Sequence, residues 1–332
     1  MNQTRRQALG LMAALPLATP SWPQTTSYPS KPITLVLPFP AGGQTDAVAR
    51  LLAQAAGPLL GQPVVVDNRP GANTLIGTKF VANAPADGHT LLLAMTALVT
   101  NPILLSNVDY DPFQAFTPVL RIYEVPSIWA VPPQGPRSLA EFIEKAKAAK
   151  TPLSFGTTGH ASSSHYFGEI LSRFGGFKLN HIPYKGEAPL IPDLMGGRLD
   201  AAVVSSSTTL TYGKDGRIRP LVATGTHSPN AAGSHRWKVL PDLPTYEELG
   251  IRGLNPVSFV GIFVPGKTPK TLVDRLNSVF TQIISSKEFE ERMLSAGLEV
   301  APPTTPAQFL AIMRQAHEEW SAVKKSHPID PE

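Results

Sequence analysis

The chain has 332 residues, 34 prolines, a formal charge of +4 and no cysteine. Without cysteine there are no disulfides, thiol nucleophiles or thiolate metal sites. The charge is small and scattered, with no basic stripe interleaved with aromatics, which argues against nucleic acid as a partner. The length suffices for two domains with sizeable cores.

Residues 1–24 read as an export signal. Arg5 and Arg6 precede an apolar run to about Leu17, followed by Ala18-Thr19-Pro20-Ser21. That basic start, short apolar core and small-residue end are too short for a spanning helix. The arginine pair with Leu9 three positions on resembles a twin-arginine signal, with Ala8 where phenylalanine is usual. The expected location is the periplasm. Removing the signal leaves about 308 residues with a charge near +2. No later segment has the length and purity of a transmembrane helix. Proline is about twice its usual frequency and falls mostly between periodic segments, as suits many short strand–helix connections.

Residues 33–39 read as a strand and 46–60 as a helix, joined by Pro38-Phe39-Pro40-Ala41-Gly42-Gly43-Gln44-Thr45-Asp46. Adjacent glycines let that turn point bare N–H groups above the strand. The helix start adds unpaired N–H groups and the positive end of its dipole, a natural seat for a carboxylate or phosphate. Val64-Val65-Val66 is a second strand, 74–84 a helix, and Thr90-Leu91-Leu92-Leu93-Ala94 a third strand, apolar throughout like a buried parallel one. Residues 119–131 read as one long extended stretch, and Ser138 caps a helix near 139–149 through its Ser-x-x-Glu pattern to Glu141.

The pattern then restarts. Leu153-Ser154-Phe155-Gly156 is a strand, 157–162 a turn, and Ser163 to Phe174 a helix. Strands follow near 180–184, 200–204 and 221–224, with a helix near 188–196 between the first two. Residues 258–264 are extended, and helices are expected near 269–285, 287–296 and 306–324. Alternating strands and helices imply an α/β protein with mostly parallel sheets. Two restarts imply two lobes: 25–126 with 251–332, and 127–250. The stretches 121–131 and 256–264 are the expected crossovers. Ligands in such folds bind beyond the carboxyl ends of the strands, which puts both Gly-rich turns on one cleft.

Several motifs in order resemble the receptor (Bug-type) proteins of tripartite tricarboxylate transporters, over nearly the whole mature length. They are Tyr28-Pro29-x-Lys31-Pro32-Ile33, Pro38-Phe39-x-Ala41-Gly42-Gly43-x-x-Asp46, Asn68-Arg69-Pro70-Gly71-Ala72 and Asn101-Pro102. Further on come Tyr110-Asp111-Pro112, Phe116-x-Pro118-Val119, Tyr184-Lys185-Gly186, Asp193-Leu194-x-Gly196-Gly197-x-Leu199-Asp200 and Leu243-Pro244-Thr245-x-x-Glu248. The resemblance implies a two-lobed periplasmic-binding-protein fold of type II, probing the periplasm as a monomer for a small carboxylate. It implies delivery to membrane permease subunits, or presentation to a sensor kinase in two-component signalling. It implies no cofactor, and ligand carboxylates held by the two turns, partly through water.

The candidate ligand-binding residues are Pro40, Ala41, Gly42, Gly43, Thr45, Asp46 and Thr96 on the first lobe. On the second they are Thr157, Thr158, Gly159, His160, Ser162, Tyr184 and Ser205. Backbone amides, hydroxyls and ordered water can hold a carboxylate without arginine. Ser162 also fits simple helix capping, and Asp46 fits capping or helix-dipole complementarity better than contact with an anion. The second turn departs from the family's Gly-Ser-Ser/Thr-Gly-x-Gly-Ser: His160 stands where small or polar residues are usual, at the cleft rim or facing solvent. Ala201 to Val204 follow Asp200 where an acidic or amide residue is frequent, which disfavours amino-acid ligands against plain or aromatic acids. Catalysis finds no support. There is no Gly-x-Ser-x-Gly elbow, no Walker lysine and no His-Glu-x-x-His, and Ser164 and His165 are helix neighbours that do not aim at each other.

Overall fold

The computed structural model describes residues 28–106, 108–226, 235–252, 254 and 258–329. The export signal expected over 1–24 lies outside the described residues. In chain order the elements are β1 (Ile33–Leu37), α1 (Gln44–Leu60), β2 (Val64–Asn68), α2 (Leu75–Ala82), β3 (Thr90–Met95), α3 (Ala97–Leu104), α4 (Pro112–Ala115), β4 (Phe116–Tyr123), β5 (Ile128–Val131) and α5 (Leu139–Ala148). There follow β6 (Leu153–Thr157), α6 (Ser163–Gly175), β7 (Leu179–Pro183), α7 (Ile191–Met195), β8 (Ala201–Val204), α8 (Ser206–Thr208) running into a π-turn (Thr209–Gly213), β9 (Arg219–Ala223), β10 (Val260–Pro265), α9 (Lys270–Ile284), α10 (Lys287–Ser295) and α11 (Pro306–Ser326).

Two five-stranded sheets result, ordered β2-β1-β3-β10-β4 and β7-β6-β8-β5-β9. In each, four strands run one way and one is reversed: β10 is antiparallel to β3 and β4, and β5 to β8 and β9. The reversed strands are the ones that arrive from the other sheet. The expected single stretch over 119–131 is two strands in two sheets, joined by the crossing at residues 124–127. An α/β alternation predicts parallel neighbours because each helix returns the chain to the same sheet end. The crossing at residues 124–127 has no such helix, so β5 enters upside down.

Local sequence explains the helices. Buried residues of α1 fall at Val48, Ala49, Leu52, Ala53, Ala56 and Leu60, the three-and-four spacing of one face. Gly61 ends the helix at φ 74, where its N–H returns to Gly57 O. Ser138 caps α5 as expected, accepting from the Glu141 N–H, while the Glu141 carboxylate accepts from the Arg137 N–H. Thr305 and Gln308 form a reciprocal capping box at α11, with Pro306 at its first position. The helix α3 is absent from the sequence expectations because Pro102 lies inside it and reads as a breaker.

The first core lies on both faces of its sheet, around Leu35, Leu52, Leu93, Ile262 and Phe280, and around Val36, Leu92, Phe263 and Phe309. In the second, Trp129 stacks on Phe155 with centroids 4.7 Å apart and planes 9° apart. Burying each such ring is worth about 2–3 kcal/mol. Gly168 of α6 lies over Phe155, where an added Cβ would come within 2.3 Å of the ring; its missing side chain sets how closely helix and sheet approach. The C-terminal helix α11 serves both halves. Phe309, Met313 and Ala316 pack on the first sheet, while Trp320 joins Leu104, Ala161 and Tyr166. Arg173 of α6 donates to Ser326 O at 2.6 Å, and Lys324 donates to Ile103 O.

Candidate functional site

A cavity of about 340 Å³ opens between the two sheets. One wall is α3 with the residues just before it. Thr96/Ala97, Thr100/Asn101 and Leu104/Leu105 line it at four-residue intervals, one stripe of a helix. The facing wall is the second Gly-rich turn, Thr158 to Ser163. Phe39, Asn73, Thr74, Phe167, Phe259 and Trp320 complete much of the rest. Among the described residues, no Lys, Arg, Asp or Glu lines it.

Of the residues expected at the site, Thr96, Thr158, Gly159, His160 and Ser162 line this cavity. Thr96 pairs with Phe259 across the end of the first sheet, accepting from its N–H at 2.8 Å and donating its own N–H to Phe259 O at 3.0 Å. Ser162 is the N-cap of α6: its hydroxyl accepts from the His165 N–H, donates to Gly159 O at 2.7 Å and meets Ser164 Oγ at 2.9 Å. The Thr158 N–H donates to Ser164 Oγ at 3.0 Å.

The first turn sits differently. Phe39 lines the cavity, whereas Pro40, Ala41, Gly42 and Gly43 are exposed beside it. Gly42 adopts φ 87, a left-handed conformation open to glycine. Its N–H donates back to Asp46 Oδ2 at 3.0 Å, the same reach-back that Glu141 makes at α5. Asp46 is buried and also accepts from Arg50 Nε at 2.9 Å and Asn68 Nδ2 at 2.9 Å. These bonds, Arg50 foremost, outweigh burial and lower its carboxyl to about 2. Asp46 is therefore a latch between turn, helix and β2. Thr45 lies beside the buried hydroxyl of Tyr123.

Three expected residues are engaged outside the cavity lining. Thr157 is fully buried, with its hydroxyl against Gly159 O and His181 Nε2. Tyr184 donates to Asp193 Oδ2 at 2.6 Å, and Arg198 braces the same carboxylate. Ser205 donates its N–H and hydroxyl to Glu187 and caps α8.

Two features escaped the sequence reading. Gly71, Ala72, Asn73 and Thr74 all have positive φ, at 122, 47, 50 and 75°. Non-glycine residues in that region cost about 1–2 kcal/mol each, so the turn needs support. Asn101 supplies it, buried and donating Nδ2 to Asn73 O at 2.7 Å. Two motifs far apart in sequence thus form one cavity wall. The second feature is a histidine cluster. His160, His165 and His181 each bring a ring nitrogen within 4.8 Å of the others. His165 and His181 stack at 3.5 Å with planes 13° apart, which aims their ring nitrogens side by side rather than at one point. His165 Nδ1 accepts from the Ala161 N–H at 3.2 Å. Burial, then the neighbouring histidines, lower His165 to about 4. It supports the turn from beneath as a neutral ring.

Two lobes, each a sheet with one strand donated by the crossing chain, and a cavity between them define a type II periplasmic binding fold. The chain belongs to the tripartite tricarboxylate transporter family receptor proteins, whose family model matches residues 48–327. It is similar to protein BugT of Bordetella pertussis, 32% identical and covering 97% of each chain. The structure resembles the periplasmic binding protein BugD, with TM-score 0.77, 33% identity, and 92% of this chain and 100% of that one covered. It also resembles Rpa4515 of R. palustris solved with adipate, with TM-score 0.79, 30% identity and coverage of 92% and 100%. Among the described residues, no helix is long and apolar enough to cross a membrane.

Proposed function

We propose that this protein is a periplasmic solute-binding protein that captures a small carboxylate, a di- or tricarboxylate or an aromatic acid, and hands it to the permease subunits of a tripartite tricarboxylate transporter. It binds and releases its ligand without chemical change. The carrying observation is the cavity between the sheets, walled by a hydroxyl- and amide-rich turn at the start of α6 and by α3. Membership of a receptor family and the adipate held by Rpa4515 support the reading. The carboxylate meets the second turn, and the first turn of α1, beside the cavity at Phe39, supplies backbone donors from the other side. Residues 25–126 with 251–332, and 127–250, act as the two lobes, closing about the crossing strands.

A thermal-shift screen of di-, tri- and aromatic carboxylic acids tests this. A ligand at one hundred times its Kd adds about 2.7 kcal/mol, several degrees of melting temperature. No shift with any acid, or turnover of one, would overturn the proposal.

A further inference from the structure

The α3 wall of the cavity turns from polar at its start to apolar at its end. The stripe of α3 runs from Thr96 through Thr100 and Asn101 to Leu104 and Leu105, a span of about 12 Å at 1.5 Å per residue. At the polar end, Thr100 is only 7% exposed, lines the cavity, and its hydroxyl makes no hydrogen bond within the described residues. At the other end, Leu104, Ala161, Tyr166 and Trp320 form one buried cluster. Trp320 presents its ring at 89° to both Tyr166 and Phe167, at 5.9 and 6.4 Å between centroids. Ala161 holds φ 51 to place its methyl there. Trp320 arrives from the C-terminal end of the chain, on a helix rooted in the first sheet.

Charge sharpens the reading. With no Lys or Arg in the lining among the described residues and His160 its one imidazole, each carboxylate beyond the first would be desolvated largely against hydroxyls and apolar carbon. One carboxylate is served by the Thr100 and Thr158 hydroxyls and by the Ser163 N–H at the start of α6. Among the described residues, the Tyr166 hydroxyl of the Leu104–Trp320 cluster lies outside the cavity lining, so a second or third carboxylate at that end meets Leu104, Leu105, Phe167 and Trp320.

We infer that the preferred ligand is a monocarboxylic acid with a ring-sized apolar body, seated with the body against Trp320, Leu104, Leu105 and Phe167, and that Trp320 sets this specificity. This rests on the carboxylate-binding reading above and narrows it. The ring packs edge-on to Trp320 in the arrangement aromatic pairs favour.

Titration calorimetry of the full mature chain with benzoate, cyclohexanecarboxylate, succinate and citrate separates the possibilities. Benzoate and cyclohexanecarboxylate should bind at least about tenfold tighter than succinate or citrate, the effect of burying one ring face. Trp320→Ala should erase most of that preference. Leu105→Asn, at a less buried position on the same wall, should reduce it about fivefold or more, which covers the case in which the tryptophan variant does not fold. Quenching of tryptophan fluorescence by benzoate should shrink in Trp320→Phe. Tighter succinate or citrate binding, or an unchanged benzoate preference in both the folded alanine and asparagine variants, overturns the apolar-body inference and leaves carboxylate capture standing. Silence toward all four acids and the wider screen overturns both.

Discussion

Asp46 lies in the Gly-rich turn that first suggests anion binding, yet its geometry assigns it to stability. Substituting Asp46→Ala removes a buried carboxylate that accepts from Gly42, Asn68 and, through two nitrogens, Arg50. Hydrogen bonds to a charged group contribute about 1.5–3 kcal/mol. Arg50 is 56% exposed, so water re-solvates it, and a loss of about 2 kcal/mol at pH 7 is expected. Urea unfolding followed by circular dichroism reads the loss as a lower midpoint. The pH dependence supplies an internal check, using Asp46→Asn. The carboxyl is lowered from 3.8 to about 2, so the unfolded chain takes up the proton first as pH falls. The ionic contribution is complete above about pH 4 and lost as pH approaches 2. By linkage that gap is worth about 2 kcal/mol, reduced to about 1 by solvent at Arg50. The difference between wild type and Asp46→Asn should therefore narrow from pH 4 downward, other acids titrating alike in both proteins. Equal midpoints at pH 7, or a difference that holds constant to pH 2.5, would refute the latch.

Ser162→Ala should lower stability by about 1 kcal/mol through the lost cap, since its hydroxyl already serves Gly159 O and the His165 N–H. A melting temperature unchanged within error would show that the cap contributes nothing. His165, lowered from 6.5 to about 4, has the same linkage sign as Asp46 for a different reason, because burial disfavours its charged form. The unfolded imidazole takes a proton below about pH 6.5 while the folded ring stays neutral, so stability falls as pH drops from 6.5 toward 4. The decline is on the order of 1–2 kcal/mol after allowing for solvent near the ring. His165→Gln should flatten the stability profile across that window, and a profile as steep as wild type would be evidence against a neutral buried ring.

What the sequence determined was local. Apolar runs such as Leu91-Leu92-Leu93 marked buried strands, the three-and-four spacing of α1 marked a buried face, and Ser138 and Ser162 marked helix starts. Each signal depends on residues within a turn or two of one another. The two strand–turn–helix restarts were legible for the same reason, and with the ordered motifs they pointed to a two-lobed receptor. Tertiary structure decided the rest, because patterning records that a residue is buried and not what it meets. Only the sheet pairing shows that β5 and β10 enter reversed between parallel neighbours. Only the fold brings His181 onto His165, and Asn101 under the strained turn at Asn73. The Gly42 N–H, bare in sequence, is turned back to Asp46 by the buried carboxylate. Trp320, an ordinary core position on an amphipathic helix, becomes part of the cavity because α11 crosses from the first sheet to α6. That crossing is a contact between residues more than a hundred positions apart, and no local spacing encodes it.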